Sequence, residues 1–209
     1  MPNLDFFSTA WKIIESPRQA FREITLAEHK NYSLALYASF GICAVFIGFW
    51  FFKAAEVFEQ LLYLIFAGIF GGMLLGVLLA PIGAGFHATF CLIAGKNASF
   101  RGSLGITAYS FVPVMISLAV VLPIELLTFG LYMFSNNPHP YAIKPVEYTV
   151  LVGADVIVGI WVLGLAILGT RVHQQIGFVR AAFIVLSTVI VLGSLLLFGG
   201  STLMSAMAR

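Results

Sequence analysis

Hydrophobic and polar positions form a coarse pattern along the chain, with long apolar segments separated by short polar ones. The apolar segments lie at about 32–52, 61–95, 103–127, 150–169 and 178–198. A helix of about 20 apolar residues crosses a hydrocarbon core of about 30 Å, so each segment can span a membrane. The pattern predicts an all-α integral membrane protein with five transmembrane helices over 31–209, preceded by a polar segment over 1–30.

The second apolar segment contains small residues at every fourth position. They are Gly68, Gly72, Gly76, Ala80, Ala84 and Ala88. Residues four apart lie on nearly the same helix face, and small residues there let a second backbone approach closely. We therefore expect residues 61–95 to form one long helix around which the bundle packs.

Prolines interrupt the second and third segments at Pro81, Pro113 and Pro123. Each proline lacks a backbone N–H and crowds the carbonyl group four residues earlier. A kink is therefore predicted at each of them. Inside a membrane, such breaks persist only where neighbouring groups or water satisfy the freed carbonyl.

The polar segment 1–30 has the spacing of two amphipathic helices. Phe7, Trp11 and Ile14 form one apolar face, and Ala20, Phe21 and Ile24 form a second after the Ser16-Pro17 break. We expect both helices to lie at the membrane surface or against the bundle. Docking on lipid is favoured over binding of a protein partner.

Basic residues are distributed unevenly between the two sides of the predicted bundle. One side carries Lys12, Arg18, Arg22, Lys30, Lys96, Arg101, Arg171 and Arg180, whereas the other carries Lys53, Lys144 and Arg209. Because cytoplasmic segments are enriched in Lys and Arg, we expect an N-in, C-out orientation.

Composition agrees with a membrane protein and excludes one class of partner. Hydrophobic residues make up 60% of the chain and charged residues only 10%, whereas a soluble domain carries about 25% charged residues. No basic patch is interleaved with aromatic residues, so no nucleic-acid partner is expected. The lipid bilayer is the first partner that the composition predicts.

Three stretches of the sequence resemble a known family. They are Trp11-Lys12-Ile13-Ile14 followed by Ser16-Pro17-Arg18-Gln19-Ala20-Phe21-Arg22-Glu23-Ile24; Ala108-Tyr109-Ser110-Phe111-Val112-Pro113; and Trp161-Val162-Leu163-Gly164-Leu165 with Gly169, His173 and Arg180-Ala181-Ala182. With these stretches the chain resembles the Yip family of Ypt/Rab-interacting, five-span membrane proteins, in its bacterial form.

The resemblance implies a membrane adaptor or organiser, because the eukaryotic members are thought to act in this way. It also implies an integral protein of the bacterial inner (plasma) membrane. The bacterial members have no agreed activity. The long acidic N-terminal region of the eukaryotic relatives is missing from this sequence, so a GTPase partner does not follow.

The sequence contains no arrangement typical of an enzyme. No nucleophile and base stand at a recognisable spacing, and no phosphate-binding loop is present. His87 and Cys91 lie four residues apart and could begin a metal site, but they supply only two of the usual four ligands. We expect His87 to be a hydrogen-bonded core residue, and we expect no enzymatic activity, metal or cofactor.

Glu125 and Asp155 are the only carboxylates within the predicted spans. Acidic side chains at membrane depth are costly and are candidates for function. We expect them to face a common polar pocket near the outer surface, with Lys144 of the connecting loop as their basic neighbour. The alternative is that both are ordinary, water-exposed residues of the membrane interface.

Two functions from different classes remain open. The first is a non-enzymatic membrane adaptor or organiser, with a second copy of the chain or other membrane proteins as partners. The second is a small transporter or channel for an ion, small solute or lipid, using Glu125, Asp155 and the proline-broken helices. Five spans do not divide into two equal halves, although a homodimer would restore symmetry.

Overall fold

The computed structural model describes residues 5–27 and 32–207, and this part of the chain contains helices and no strands. The α-helices are α1 (Phe6–Glu15), α2 (Pro17–Leu26), α3 (Ser33–Phe51), α4 (Leu61–Phe66), α5 (Gly72–Ile93), α6 (Phe100–Ser110), α7 (Val112–Ile116), α8 (Leu122–Phe129), α9 (Pro140–Ile143), α10 (Pro145–Gln174) and α11 (Phe178–Met207). Most backbone hydrogen bonds can thus form within the helices, as a lipid environment requires.

Five helical segments of the described residues are long and apolar enough to cross a membrane. They are Ser33–Phe51, Leu61–Ile93, Phe100–Phe134, Pro145–Gln174 and Phe178–Thr202. The prediction of an all-helical chain with five spans is confirmed. The second span is one continuous helical segment, in which the π-helical turn Ala67–Gly71 joins α4 to α5.

The third and fourth spans extend further than hydropathy predicted. The third covers Phe100–Phe134 rather than 103–127, and the fourth covers Pro145–Gln174 rather than 150–169. Apolar windows locate the part of a helix that lies in hydrocarbon, whereas helix ends are determined by capping. Pro145 begins α10, because a proline in the first helical turn has no N–H to leave unsatisfied.

The three prolines have different surroundings. The third span is interrupted at Phe111, and Pro113 lies in the first turn of the helix that restarts there. Pro123 likewise lies in the first turn of α8, after the π-helical turn Ser117–Val121. Pro81, in contrast, lies inside the unbroken helix α5.

Helix α5 packs on α3 through glycines, with α6 and α11 as its other main neighbours. A Cβ atom on Gly41 would meet the backbones of Gly72 and Gly76, and a Cβ on Gly76 would meet the carbonyl oxygen of Tyr37. The two backbones therefore touch with no room for any side chain between them. Such close contact replaces the hydrophobic driving force that is absent between helices in lipid.

The other members of the small-residue row have different environments along α4 and α5. Gly68 lies under the ring of Phe46, whose Cζ would be 2.6 Å from a Cβ at this position. Ala80 and Ala84 are fully buried, whereas Ala88 is half-buried. The row thus follows α3 most closely at Gly72 and Gly76.

The N-terminal helices form a hairpin that packs on the bundle through α2. Ala20, Phe21 and Ile24 are completely buried, and the Phe21 ring lies against Gly169 of α10, where a Cβ would come within 2.8 Å of the ring. The predicted apolar face of α1 points outwards instead, leaving Phe7 81% and Trp11 66% exposed, whereas Ile13 of the same helix is fully buried.

A salt bridge joins the two helices of this hairpin. Lys12 Nζ of α1 lies 2.8 Å from Glu23 Oε2 of α2. The hydrogen bond from Lys12 lowers the pKa of the Glu23 carboxyl below its ordinary value. Both side chains are partly exposed, so the pair contributes modestly to the stability of the hairpin.

Candidate functional site

A cavity of about 260 Å³ lies between the first, third and fourth spans. Its lining residues are Cys43, Phe46, Ile47 and Trp50 of α3; Ser117, Leu118, Leu122, Glu125, Met133 and Phe134 of the third span; and Val152, Asp155 and Val156 of α10. Most of these side chains are apolar. The cavity thus has a mostly apolar lining with a few polar groups, as ligand sites in proteins usually do.

The cavity opens towards the lipid-facing surface between α3 and α10. Ile47 of α3 is 55% exposed and Val156 of α10 is 56% exposed, although both also line the cavity. Along α3 the cavity extends from Trp50, one residue before the helix ends, to Cys43. Seven residues of helix correspond to about 10 Å, so the cavity runs inward from one end of the bundle.

Glu125 and Asp155 both line this cavity. Glu125 is only 5% exposed, and its carboxyl group shares the cavity with that of Asp155. Asp155 is half-buried and accepts a 2.8 Å hydrogen bond from the Ser117 hydroxyl. Glu125 is thus a buried carboxyl inside the bundle rather than a water-exposed residue at its edge.

Local helix geometry brings Ser117 to Asp155. Ser117 begins the π-helical turn that precedes α8, where its carbonyl oxygen accepts a hydrogen bond from the Leu122 N–H. Single π-helical turns inside helices are frequently found at functional sites. Sequence reasoning missed Ser117, although the only hydroxyl group in the apolar stretch 111–124 was the available signal.

Two polar atoms of the cavity wall have no hydrogen-bond partner among the described residues. They are Glu125 Oε1, an acceptor when the carboxyl is ionised, and Trp50 Nε1, which can only donate. Buried polar groups are nearly always hydrogen-bonded in proteins. A ligand with both a donor and an acceptor would satisfy the two atoms.

A basic residue that the sequence analysis did not consider, Lys53, lies beside a side chain of the cavity wall. Lys144 is exposed, precedes α10 and is not part of the lining. Eleven residues of helix separate it from Asp155, which corresponds to about 16 Å along the axis. Lys53, which follows the end of α3, lies with its Nζ 5.1 Å from the centre of the Trp50 ring.

A second polar cluster is buried at the opposite end of the bundle. His87 of α5 is 1% exposed; its Nδ1 lies 3.0 Å from the Ser103 hydroxyl and its Nε2 lies 2.9 Å from that of Thr170. The Thr170 hydroxyl donates to the Ala166 carbonyl, so it accepts from His87 Nε2–H. The imidazole is therefore the Nε2–H tautomer, with Ser103 donating to Nδ1.

This cluster has the features of a structural core rather than of a metal centre. Both His87 nitrogens are occupied by hydroxyl groups, and the nearby Cys91 is a free thiol, as is Cys43. Among residues 5–27 and 32–207, no group of three or more His, Cys, Asp or Glu side chains could hold a metal ion. The cavity at Glu125 is thus the better candidate for function.

A family model described as the Yip1 domain matches residues 11–200. The chain belongs to the Yip1 domain family. The resemblance identified from the three sequence stretches is confirmed, and so is the integral membrane class. Comparison with curated proteins found no match, and neither did comparison with solved structures.

The Yip1 domain match includes the whole candidate site. All lining residues of the cavity, from Cys43 to Val156, fall within residues 11–200, as do α2 and the His87 cluster. The cavity is thus built by the family domain itself.

Proposed function

We propose that this Yip1 domain is a non-enzymatic membrane organiser that holds the cationic group of an amphiphile in the cavity at Glu125 and Asp155. The observation that carries the proposal is a buried, incompletely hydrogen-bonded carboxyl in an apolar cavity that opens to lipid. An ionised acidic side chain within a membrane span is energetically costly. A bound cation offsets this cost.

The surroundings of the carboxyls favour a cationic ligand over an anionic one. Glu125 and Asp155 lie together, and no Lys, Arg or His is among the residues that line the cavity. Two ionised carboxylates in an apolar wall repel each other, and a bound cation or a shared proton removes that repulsion. The open edge at Ile47 and Val156 gives the apolar tail of the ligand a route into the bilayer.

The proposal places the protein in the bacterial inner membrane, N-in and C-out, with the cavity near the outer surface. The basic residues on the predicted cytoplasmic side support this orientation. The exposed Phe7 and Trp11 of α1 support docking of the N-terminal hairpin on the cytoplasmic lipid surface. A second copy of the chain or another membrane protein would be the partner in such an organiser.

A thermal-unfolding assay tests whether the cavity binds a cationic amphiphile. The purified chain in a neutral detergent is titrated with dodecylamine, and decanol serves as the uncharged ligand control. We expect dodecylamine to raise the unfolding temperature, because ligand binding to the folded state alone stabilises it. Glu125→Gln and Asp155→Asn should weaken this stabilisation.

Glu147→Gln is the matched control, because Glu147 lies on the same helix as Asp155 but is exposed and outside the cavity. It should respond to dodecylamine like the unchanged chain. If Glu125→Gln and Glu147→Gln respond alike, dodecylamine does not bind at the carboxyls and the proposal is wrong.

The second candidate function is transport of an ion, small solute or lipid. It is favoured by the interruption at Phe111 and the π-helical turn Ser117–Val121, because broken helices form the binding sites of many transporters. Reconstitution in liposomes separates the two functions. An organiser leaves ion flux and lipid translocation at the level of protein-free vesicles, whereas flux that disappears in Asp155→Asn would support transport.

A further inference from the structure

The cavity combines an acidic end with an unpaired hydrogen-bond donor. Glu125 Oε1 and Trp50 Nε1 are both buried and lack a hydrogen-bond partner in the part of the chain that is described. Trp50 lies next to the end of α3, and the ammonium group of Lys53 lies over its ring. A cationic ligand alone would satisfy the carboxyl but would leave the indole N–H unpaired.

The unpaired atoms restrict the chemistry of the ligand at both positions. To be hydrogen-bonded, an ionised Glu125 oxygen must accept from a donor on the ligand. A primary ammonium has N–H groups that can donate, whereas a quaternary ammonium has none. The Trp50 indole requires an acceptor. The adjacent positive charge of Lys53 favours an anionic acceptor such as a phosphate oxygen.

From this arrangement we infer that the cavity binds the headgroup of an aminophospholipid, with the primary ammonium at Glu125 and Asp155 and the phosphate at Trp50 and Lys53. The inference rests on the proposed function and deepens it, because it names the ligand class of the same cavity. With one proton shared between Glu125 and Asp155, a zwitterionic ligand and Lys53 leave the paired site with no net charge.

The walls of the cavity indicate a lipid rather than a soluble zwitterion. Phe46, Leu118 and Leu122 line its interior, and the exposed Ile47 and Val156 mark its opening towards lipid. An acyl chain can leave the cavity through this opening while the headgroup stays inside. Glycerophosphoethanolamine carries the same headgroup without acyl chains and should therefore bind far more weakly.

Lipid binding is measured by native mass spectrometry and thermal unfolding of the delipidated chain. Phosphatidylethanolamine is compared with its N,N-dimethyl form, with phosphatidylcholine and with phosphatidylglycerol, all with the same acyl chains. We expect affinity to fall as the N–H groups of the ammonium are replaced by methyl groups. Phosphatidylcholine should bind about tenfold more weakly than phosphatidylethanolamine, because loss of one charged hydrogen bond corresponds to this factor. Phosphatidylglycerol, which has no ammonium group, should bind as weakly as phosphatidylcholine.

Variants at the phosphate end test the second half of the inference. Trp50→Phe removes the indole N–H and keeps an aromatic ring, and Lys53→Met removes the charge. Each should weaken binding of phosphatidylethanolamine by about tenfold. Neither should produce such a loss for dodecylamine, which has no phosphate. Trp161→Phe is the control, since Trp161 lies on α10 outside the cavity. The unfolding temperatures of the ligand-free variants show whether a variant has simply lost its fold.

The outcomes separate this inference from the proposed function. If dodecylamine binds and depends on Glu125, but phosphatidylethanolamine binds no better than phosphatidylcholine, the organiser proposal stands and the aminophospholipid is excluded. Equal binding by Trp50→Phe and Trp161→Phe, or equally tight binding of glycerophosphoethanolamine, would also overturn the inference. If dodecylamine shows no dependence on Glu125, the proposed function itself fails.

Discussion

Gly76 offers the most direct test of how the bundle is held together. Gly76→Ala adds a single methyl group where α3 and α5 touch. That Cβ would meet the carbonyl oxygen of Tyr37 and would lie 2.8 Å from Ala38 Cα. Both atoms belong to the backbone of α3, so no side-chain rotation can relieve the contact and the two helices must separate.

The cost follows from the size of that separation. Ordinary Cβ contacts begin at 3.4 Å, so the helices must move apart by about 1 Å. A gap of this size loses roughly a quarter to a half of the dispersion energy between the facing atoms. Overpacking of this kind typically costs about 1–3 kcal/mol. We expect the free energy of unfolding to fall by this amount.

The assay is unfolding by sodium dodecyl sulfate in mixed micelles, followed by circular dichroism. Gly85→Ala is the matched control, because it lies on the same helix and its Cβ would meet no described atom within 4 Å. Helix propensity favours alanine there by about 0.5–1 kcal/mol. Gly68→Ala should cost less than Gly76→Ala, because the Phe46 ring that it would meet can rotate away.

A double variant provides an internal check. A Cβ on Gly41 would meet the backbone of Gly76, so once one methyl group has separated the helices the second fits at lower cost. The combined loss for Gly41→Ala with Gly76→Ala should therefore be smaller than the sum of the two single losses. Strict additivity, or equal losses at Gly76 and Gly85, would refute direct backbone contact between α3 and α5.

Three further predictions concern the N-terminal hairpin and the orientation. Phe21→Ala should cost about 3–5 kcal/mol and increase proteolysis of the hairpin, whereas Phe7→Ala, at an exposed position, should change neither. The pKa of Glu23 is lowered in the folded chain, so its ion pair with Lys12 stabilises the hairpin above the unfolded-state pKa of about 4.3. This contribution, about 0.2–1 kcal/mol, is lost as the pH falls through the folded-state pKa. Amide exchange of α2, corrected for the intrinsic exchange rate, is compared at pH 7 and pH 3. If acid increases the opening of α2 no more in the unchanged chain than in Lys12→Met, the ion pair does not contribute. Asn97, in the sequon Asn97-Ala98-Ser99, should acquire no glycan in a glycosylating membrane system, and a glycan there would reverse the N-in orientation.

Much of the fold was predictable because a bilayer imposes strict conditions on the chain. Segment length and apolarity identify the spans, since every backbone group in lipid must be paired within a helix. Helix ends were less predictable. α10 begins at Pro145 and the third span continues to Phe134, because capping and local turns determine helix ends and hydropathy does not.

The partners of individual residues were harder to predict than the residues themselves. The row containing Gly72 and Gly76 is visible in the sequence because its period is that of a helix. Its partner Gly41 belongs to another span, where no row of small residues at every fourth position marks it. Ser117 and Asp155 are 38 residues apart, and their contact depends on how the third span packs against α10.

The cavity shows the same limit on sequence reasoning. Glu125 and Asp155 stood out because charged groups are rare at membrane depth, but the neighbouring polar groups did not. Trp50 stands between Phe49 and Phe51 in an aromatic run typical of a membrane interface. Lys144 was chosen only because its loop joins the two spans. The structure places Lys53 next to Trp50 because both residues lie at the end of one helix.

The hydrogen bonds of His87 have a consequence for biogenesis. The imidazole belongs to the second span, whereas its partners Ser103 and Thr170 belong to the third and fourth. During stepwise insertion, the second span therefore enters the bilayer with two unpaired ring nitrogens, one of which is paired when the third span arrives. Only the fourth span completes the pairing, so a chain truncated before Thr170 exposes an unsatisfied polar group in lipid, which membrane quality control can detect.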